Sequence, residues 1–135
     1  MRAVLDANVL VSALLSRSGA PARLAEQWLA GELEVVVCPA LLAEVERTLA
    51  APKLRGRVDP RDADRFVALL RELAEVVADP AEPPVVRSAD PGDDYLIALA
   101  ARERVALVSG DSHLLALRDQ IPAFSPREFL SGPAS

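Results

Sequence analysis

The sequence predicts an α/β fold in which a central, mainly parallel sheet has helices on both faces. Short apolar or β-branched runs alternate along the chain with longer segments whose apolar residues recur at helical spacing. Strands that alternate with helices favour parallel pairing and a layered α/β/α arrangement. The chain has 135 residues, of which 51% are hydrophobic, so it can bury a core as a single domain over residues 1–135.

The first half of the chain begins with an apolar run that reads as a buried strand, Arg2–Leu5. Helical spacing follows in Asn8–Leu15, and a proline suited to a first turn opens a second helix, Pro21–Ala30. The β-branched run Glu34–Cys38 predicts a strand. Another proline then opens a helix over Pro39–Ala50.

The middle of the chain alternates between loops and two further elements. Lys53–Arg57 is a basic loop, and a cap followed by proline starts a helix over Asp59–Leu73. Glu75–Ala78 is predicted as a short strand. Four prolines then make most of Asp79–Pro91 a loop, because proline breaks both helices and strand ladders.

The last third contains the remaining predicted elements. Asp90-Pro91 opens a helix that runs to about Arg104, and the apolar run Val105–Ser109 predicts another strand. A short helix over Ser112–Arg118, an edge strand at Ala123–Phe124 and a helical turn at Pro126–Leu130 complete the chain.

Composition limits the classes of function. The net charge of −5 comes entirely from residues 69–135, so bulk attraction to nucleic acid is unfavourable unless bound cations reverse the local sign. Cys38 is the single cysteine and is expected to be a buried small hydrophobe in a reducing compartment. No apolar stretch reaches the roughly 20 residues that span a bilayer, and no secretion signal is apparent, so a cytoplasmic location without membrane contact is expected.

Four acidic residues are predicted to meet at one edge of the sheet. Asp6 and Asp111 follow two buried strands, and parallel topology brings the carboxyl ends of such strands together. Glu44 shares a helix face with Leu41 and Thr48. Asp94 heads an apolar stripe in its helix, where a carboxylate costs several kcal/mol unless something compensates its charge.

Each acid also has an ordinary structural explanation. Asp6 and Asp111 could cap the helices that follow them, and Glu44 could be a solvated helix residue. Asp90 and Asp93 read as a cap and a first-turn residue, favoured by the helix dipole.

A site made of carboxylate oxygens alone suits Mg²⁺ or Mn²⁺ rather than zinc, which prefers histidine and cysteine ligands. Such ions can activate a water and stabilise the leaving oxygen in phosphodiester hydrolysis. They would also supply positive charge in an acidic cleft. Asn8 and Ser109 stand beside Asp6 and Asp111 and could hydrogen-bond to them, although ordinary turn chemistry also explains both residues.

At these residues the sequence resembles the PIN-domain family. The matching segments, in chain order, are Val4-Leu5-Asp6-Ala7-Asn8, then Glu44, then Asp90-Pro91-Gly92-Asp93-Asp94-Tyr95-Leu96-Ile97-Ala98-Leu99-Ala100, and Leu107-Val108-Ser109-Gly110-Asp111 with Leu114-Leu115. Each segment alone is a weak signal, but the four in this order are specific.

The resemblance implies a compact PIN-like α/β/α sandwich and a magnesium-dependent ribonuclease that prefers single-stranded RNA. It assigns the metal-binding and catalytic roles to Asp6, Glu44, Asp94 and Asp111, with Asn8 and Ser109 as helpers. The choice of Asp94 over Asp93 rests only on alignment to the following Leu-Ile-Ala. Many bacterial members of this length are VapC-type toxins, which are typically dimeric and are silenced by an antitoxin protein.

RNA contact is a further hypothesis. Lys53, Arg55 and Arg57 could bind phosphates beside the cleft, although a solvated loop explains them equally well. A phosphate-accepting receiver domain is excluded as a rival, because the chain has no lysine after Lys53. The remaining alternative is a non-catalytic PIN module that binds RNA or protein.

Overall fold

The computed structural model describes residues 1–132 and confirms the predicted α/β class. Five strands form one parallel sheet in the order β3-β2-β1-β4-β5. The strands are β1 (Arg2–Leu5), β2 (Glu34–Val37), β3 (Glu75–Val76), β4 (Ala106–Val108) and β5 (Ala123–Phe124). In the register of the central strands, Ala3 lies beside Val35 on one side and Ala106 on the other.

Seven α-helices connect and follow the strands within residues 1–132. They are α1 (Ala7–Leu15), α2 (Ala20–Leu29), α3 (Pro39–Leu49), α4 (Pro60–Leu73), α5 (Asp94–Glu103), α6 (Ser112–Leu115) and α7 (Pro126–Leu130). Two short 3₁₀ turns, Pro52–Leu54 and Pro91–Asp93, precede α4 and α5. None of these helices combines the length and apolar character that crossing a membrane requires.

The helices form the two outer layers of the predicted sandwich. α1 contacts α2 and α3, while α2 also contacts α7 and α3 contacts α4, so these five helices make one layer. Between β3 and β4 the chain crosses back over the sheet, and a right-handed connection therefore puts α5 on the opposite face. There α5 contacts the two central strands, β1 and β4.

The core is built from aliphatic side chains, because the chain has few aromatic residues. Val4, Val36 and Leu107 from the central strands are fully buried. Cys38 is also fully buried, as expected for a small apolar residue, and burial raises the pKa of its thiol to about 11. The thiol therefore stays neutral at physiological pH.

One difference from the predicted elements affects the site. The helix predicted from Asp90-Pro91 to about Arg104 instead starts with the 3₁₀ turn Pro91–Asp93, and the regular helix begins at Asp94. The Asp90 side chain accepts a hydrogen bond from the Gly92 N–H at 3.0 Å, which favours this tight turn over an α-helical one. Elsewhere the element ends differ by at most three residues, because the last residues of strands and helices fray.

Candidate active site

The candidate site lies beyond the carboxyl ends of β1 and β4, which are neighbours in the centre of the sheet. Asp6 directly follows β1, and its N–H donates to the Val108 carbonyl on β4 at 3.0 Å. Asp111 lies three residues beyond the end of β4. Asp6 and Asp111 therefore stand at the same edge, where parallel α/β sheets usually bind ligands.

Asp6 is a buried carboxylate, only 5% exposed, and both of its oxygens have partners. Oδ1 accepts from the Val9 N–H at 2.8 Å and caps α1, while Oδ2 accepts from the Ser109 hydroxyl. Burial raises the pKa of Asp6, and the nearby carboxylates of Glu44 and Asp111 raise it further. The two hydrogen bonds oppose this rise, because they stabilise the charged form.

Ser109 links Asp6 to Asp111. Its fully buried hydroxyl donates to Asp6 and accepts from the Asp111 N–H at 2.9 Å. Asp111 in turn caps α6, because its Oδ1 accepts from the His113 N–H at 2.7 Å. Capping occupies one oxygen of Asp111 and leaves Oδ2 for another partner. The helper position suggested for Ser109 therefore coincides with a direct contact to two of the four acids.

Glu44 approaches from α3, on the other side of the cleft. Its Oε2 accepts a hydrogen bond from the Tyr95 hydroxyl at 2.5 Å. Its charge contributes to the raised pKa of both Asp6 and Asp93, so the Glu44 carboxylate lies near enough to both to act on them.

Asp93 completes the cluster and is its most perturbed member. Its pKa is raised to about 7, first by burial and then by the hydrogen bond and negative charge of Asp111, with Asp90 and Glu44 adding to the effect. Its Oδ2 is buried and has no hydrogen-bond partner among the residues that the structure describes. An unpartnered buried oxygen is costly, so this atom marks a place that a ligand could fill.

Asp94, the acid chosen over Asp93, has other partners in this structure. Its Oδ1 accepts from the Ser88 N–H at 2.8 Å, and its Oδ2 lies 3.7 Å from Nη1 of Arg87. The side chain is 15% exposed. A backbone donor and an arginine thus offset the cost of a carboxylate at the head of an apolar stripe. Asp94 fastens the preceding loop to the start of α5.

The supporting residues are divided between the site and the surface. Asp90 caps the 3₁₀ turn and acts on the cluster through its charge. Asn8 is exposed, and its side chain has no hydrogen-bond partner within residues 1–132. Lys53, Arg55 and Arg57 are exposed on the loop before α4, and none of them pairs with an acidic side chain of the described chain.

A cavity of about 660 Å³ lies elsewhere, between α3 and α4. Leu49, Val58 and Val67 are among its lining residues, together with Arg55, and its surface is mainly apolar. None of the four clustered acids lines it. The acidic cluster is therefore separate from this cavity.

The donor set of the cleft is chemically suited to a hard divalent cation. Asp6, Glu44, Asp93 and Asp111 offer only carboxylate oxygens, which favour Mg²⁺ and Mn²⁺. As the side chains stand, no three acidic, histidine or cysteine residues within residues 1–132 surround a position that could hold a metal ion. The observation that fits a cation is the unpartnered oxygen of Asp93 beside Asp111.

The sequence indicates Asp93 only as a supporting, first-turn residue, because it predicts a helix that starts at Asp90-Pro91 without a 3₁₀ turn. Tyr95 was not singled out, although it is the only tyrosine and lies two residues after Asp93. The available signal is a polar aromatic residue in the first turn of a helix that carries acids at its start.

Comparisons with known proteins place this geometry in a family context. A search of solved structures finds PAE2754 from Pyrobaculum aerophilum, with a TM-score of 0.66, 22% identity, and 97% of this chain and 88% of that chain covered. It also finds VapBC2 from Rickettsia felis, solved bound to a DNA fragment from its promoter, with a TM-score of 0.64 and 12% identity over 93% of this chain and 98% of that one. At these levels of identity, the two comparisons show that the folds are similar and no more.

Sequence comparison gives the family itself. An uncharacterized protein from Methanocaldococcus jannaschii, MJ1680, is 26% identical over 123 residues, which are 89% of this chain and 77% of that protein. The family model described as PIN domain matches residues 2–113, a range that contains all four clustered acids. This chain belongs to the PIN-domain family.

Proposed function

We propose that this protein is a divalent-metal-dependent nuclease that hydrolyses phosphodiester bonds of single-stranded RNA. The observation that supports it is the convergence of Asp6, Glu44, Asp93 and Asp111 on one cleft, with a buried and unpartnered oxygen on Asp93. Neighbouring carboxylates that raise the pKa of Asp6 and of Asp93 are a poor way to stabilise a fold. They are a good way to hold a cation, which removes the repulsion.

Mg²⁺ or Mn²⁺ fits this donor set, and the four clustered acids would hold it. When bound, such a cation supplies the Lewis acidity and the positive charge that phosphodiester hydrolysis requires. It also reverses the local sign of an acidic surface, which phosphate would otherwise avoid.

The chain's own residues orient the carboxylates before any substrate arrives. Asp6 is fixed at both oxygens, by the Val9 N–H and by the Ser109 hydroxyl. The Ser109 hydroxyl also accepts a hydrogen bond from the Asp111 N–H, so the same side chain helps to position Asp111. Carboxylates fixed in this way need little rearrangement on binding a ligand, and such preorganisation favours catalysis.

Lys53, Arg55 and Arg57 are proposed to contact RNA phosphates. Their side chains are exposed and carry no acidic partner within residues 1–132, so their charges are available to an external anion. Phosphate contacts position a nucleic acid without reading its sequence. Replacing Arg55 and Arg57 together with alanine should weaken RNA binding at low salt, and unchanged affinity would remove this part of the proposal.

A toxin role is proposed from the structural neighbours. The VapBC2 structure from Rickettsia felis shares the fold over almost the whole of both chains. By this likeness the chain is proposed to be the toxin of a toxin–antitoxin pair, with an antitoxin protein as partner. A single PIN domain, a homodimer and a cytoplasmic location belong to the same proposal.

The central test compares two adjacent aspartates. Asp93→Asn and Asp94→Asn remove the same charge from neighbouring positions, but only Asp93 faces the cleft. With purified protein and labelled single-stranded RNA in Mn²⁺, we expect Asp93→Asn to lower the cleavage rate by about 100-fold or more, as loss of a metal-binding carboxylate should. Asp94→Asn should stay within about tenfold of the wild type.

The outcomes separate three possibilities. Equal cleavage by wild type and Asp93→Asn would overturn the enzymatic function and favour a non-catalytic module. Equal losses in both variants would return Asp94 to the metal site. Cleavage that persists in excess EDTA would refute metal dependence, and a preference for double-stranded RNA would refute the proposed substrate class.

A further inference from the structure

Tyr95 joins the two sides of the cleft. It lies in the first turn of α5, directly after the acidic run, and its hydroxyl donates to Oε2 of Glu44 at 2.5 Å. Glu44 belongs to α3, in the opposite helical layer. This hydrogen bond is therefore a direct link between the helix that follows Asp93 and the helix that carries Glu44.

Glu44 needs such a link more than the strand-borne acids do. Asp6 and Asp111 are short side chains held by backbone N–H groups. Glu44 has one more rotatable bond than either, and its carboxylate accepts no backbone donor within the described chain. Its hydrogen bond from Tyr95 is the contact that limits where the carboxylate lies, because unrestrained side chains retain rotamer freedom.

The ring of Tyr95 is itself held in place. The side chain is partly buried and packs against the edge of the apolar core. A tyrosine with a buried ring presents its hydroxyl from a rigid base, since only two side-chain torsions set its position. The hydroxyl donates to Oε2 of Glu44, and Oε1 has no hydrogen-bond partner within residues 1–132.

We infer that Tyr95 is a positioning residue for Glu44, which holds one carboxylate oxygen so that the other faces the cation cleft. This inference rests on the proposed function, because it concerns the same cleft. Hydrogen bonds from a second residue to a metal-binding side chain orient it, and their loss commonly weakens metal affinity at least tenfold.

Tyr95→Phe tests the inference because it removes only the hydroxyl and keeps the packed ring. With Mn²⁺ as probe, titration followed by electron paramagnetic resonance should show dissociation constants raised about tenfold relative to the wild type. Thermal unfolding of the metal-free protein in EDTA should change little. Thr48→Val is the matched control, because the Thr48 hydroxyl donates at 2.8 Å to the main-chain carbonyl of Glu44 and not to its carboxylate. It should leave Mn²⁺ affinity unchanged.

A double-mutant cycle distinguishes positioning from general packing. If Tyr95 acts through Glu44, then Tyr95→Phe should cause no further loss of Mn²⁺ affinity in a Glu44→Gln background. Additive losses, or a Tyr95→Phe protein that binds Mn²⁺ as tightly as the wild type, would overturn the inference. A Tyr95→Phe protein that loses most of its stability in EDTA would also overturn it, because the hydroxyl would then be structural.

The result also separates this inference from the proposed function. If the wild type binds Mn²⁺ and Asp93→Asn does not, while Tyr95→Phe binds normally, only the role of Tyr95 fails. If the wild type binds no Mn²⁺, the proposed function fails and the role of Tyr95 fails with it.

Discussion

The two halves of the acidic cleft are built in different ways. On the sheet side, Asp6, Ser109 and Asp111 follow strands and are joined by a continuous chain of hydrogen bonds. On the helix side, Asp93 and Glu44 come from a 3₁₀ turn and a helix, and one Asp93 oxygen has no partner within residues 1–132. Hydrogen bonds within the fold stabilise the acids on the sheet side. The unpartnered Asp93 oxygen on the helix side lowers the stability of the folded protein unless a ligand binds it. The predictions below test that contrast.

The largest effect on stability is expected at Asp6. Asp6→Ala leaves the Val9 N–H without its cap and the buried Ser109 hydroxyl without its acceptor. Unpaired buried donors and a lost cap each cost about 1–2 kcal/mol, and the relief of burying a charge offsets part of this. We expect a net loss of about 2 kcal/mol in the free energy of unfolding, measured with urea in EDTA.

Asp6→Asn is the control for this change, because the amide oxygen can still cap α1. It should be less destabilised than Asp6→Ala. An Asp6→Ala protein as stable as the wild type would show that the sheet side is not supported by these bonds, and the contrast would fail.

The opposite sign is expected at Asp93. Its pKa in the folded protein is raised to about 7, well above the value of about 3.9 in an unfolded chain. The folded state therefore favours the protonated form, and the wild type loses stability as the pH rises between these two values. Asp93→Asn removes that loss. The metal-free variant should be more stable than the wild type at pH 8 by about 1 kcal/mol, a value reduced for solvent screening.

Unfolding of both proteins in urea at several pH values checks this prediction. The difference should be fully present above pH 7 and should shrink to nothing toward pH 4. A constant difference across this range, or a destabilised Asp93→Asn protein, would show that Asp93 has a structural partner.

An effect of similar size to that at Asp93, but of opposite sign, is expected at Asp94. Asp94→Ala removes the acceptor of the Ser88 N–H and the partner of Arg87. The arginine contact is long and largely exposed, so the backbone hydrogen bond accounts for most of the expected loss of about 1 kcal/mol. Urea unfolding in EDTA measures it. A gain in stability, as expected for Asp93→Asn, would place Asp94 among the repelling acids and remove the distinction between the two residues.

The same contrast explains what could be predicted from the sequence. Asp6 and Asp111 follow buried apolar runs, and the carboxyl ends of neighbouring parallel strands meet at one edge, so the strand pattern was enough to bring them together. Glu44 is indicated by the resemblance to the PIN-domain family, because its helix face alone also fits a solvated residue. The fold class was predictable for the same reason, because the alternation of strands and helices is visible in the apolar pattern.

The helix side was less predictable because its geometry depends on a turn. The choice of Asp94 rests on alignment to the following Leu-Ile-Ala, and that alignment carries no information about the 3₁₀ turn over Pro91–Asp93 that precedes α5. Nor does the sequence show that a backbone N–H of Ser88 takes up the charge of Asp94. Contacts between residues far apart in the chain, such as that between Tyr95 and Glu44, leave no periodic pattern.

The double duty of the capping aspartates has a consequence for the comparison of relatives. Asp6 and Asp111 each use one carboxylate oxygen to cap a helix. Selection for folding alone would therefore preserve both residues, even in a relative that had lost its activity. The Asp93 side chain makes no capping hydrogen bond within residues 1–132. A relative that no longer needs the site would therefore gain stability if Asp93 were replaced. Of the four acids, Asp93 is therefore the one whose presence in a related chain best indicates that the site is functional there.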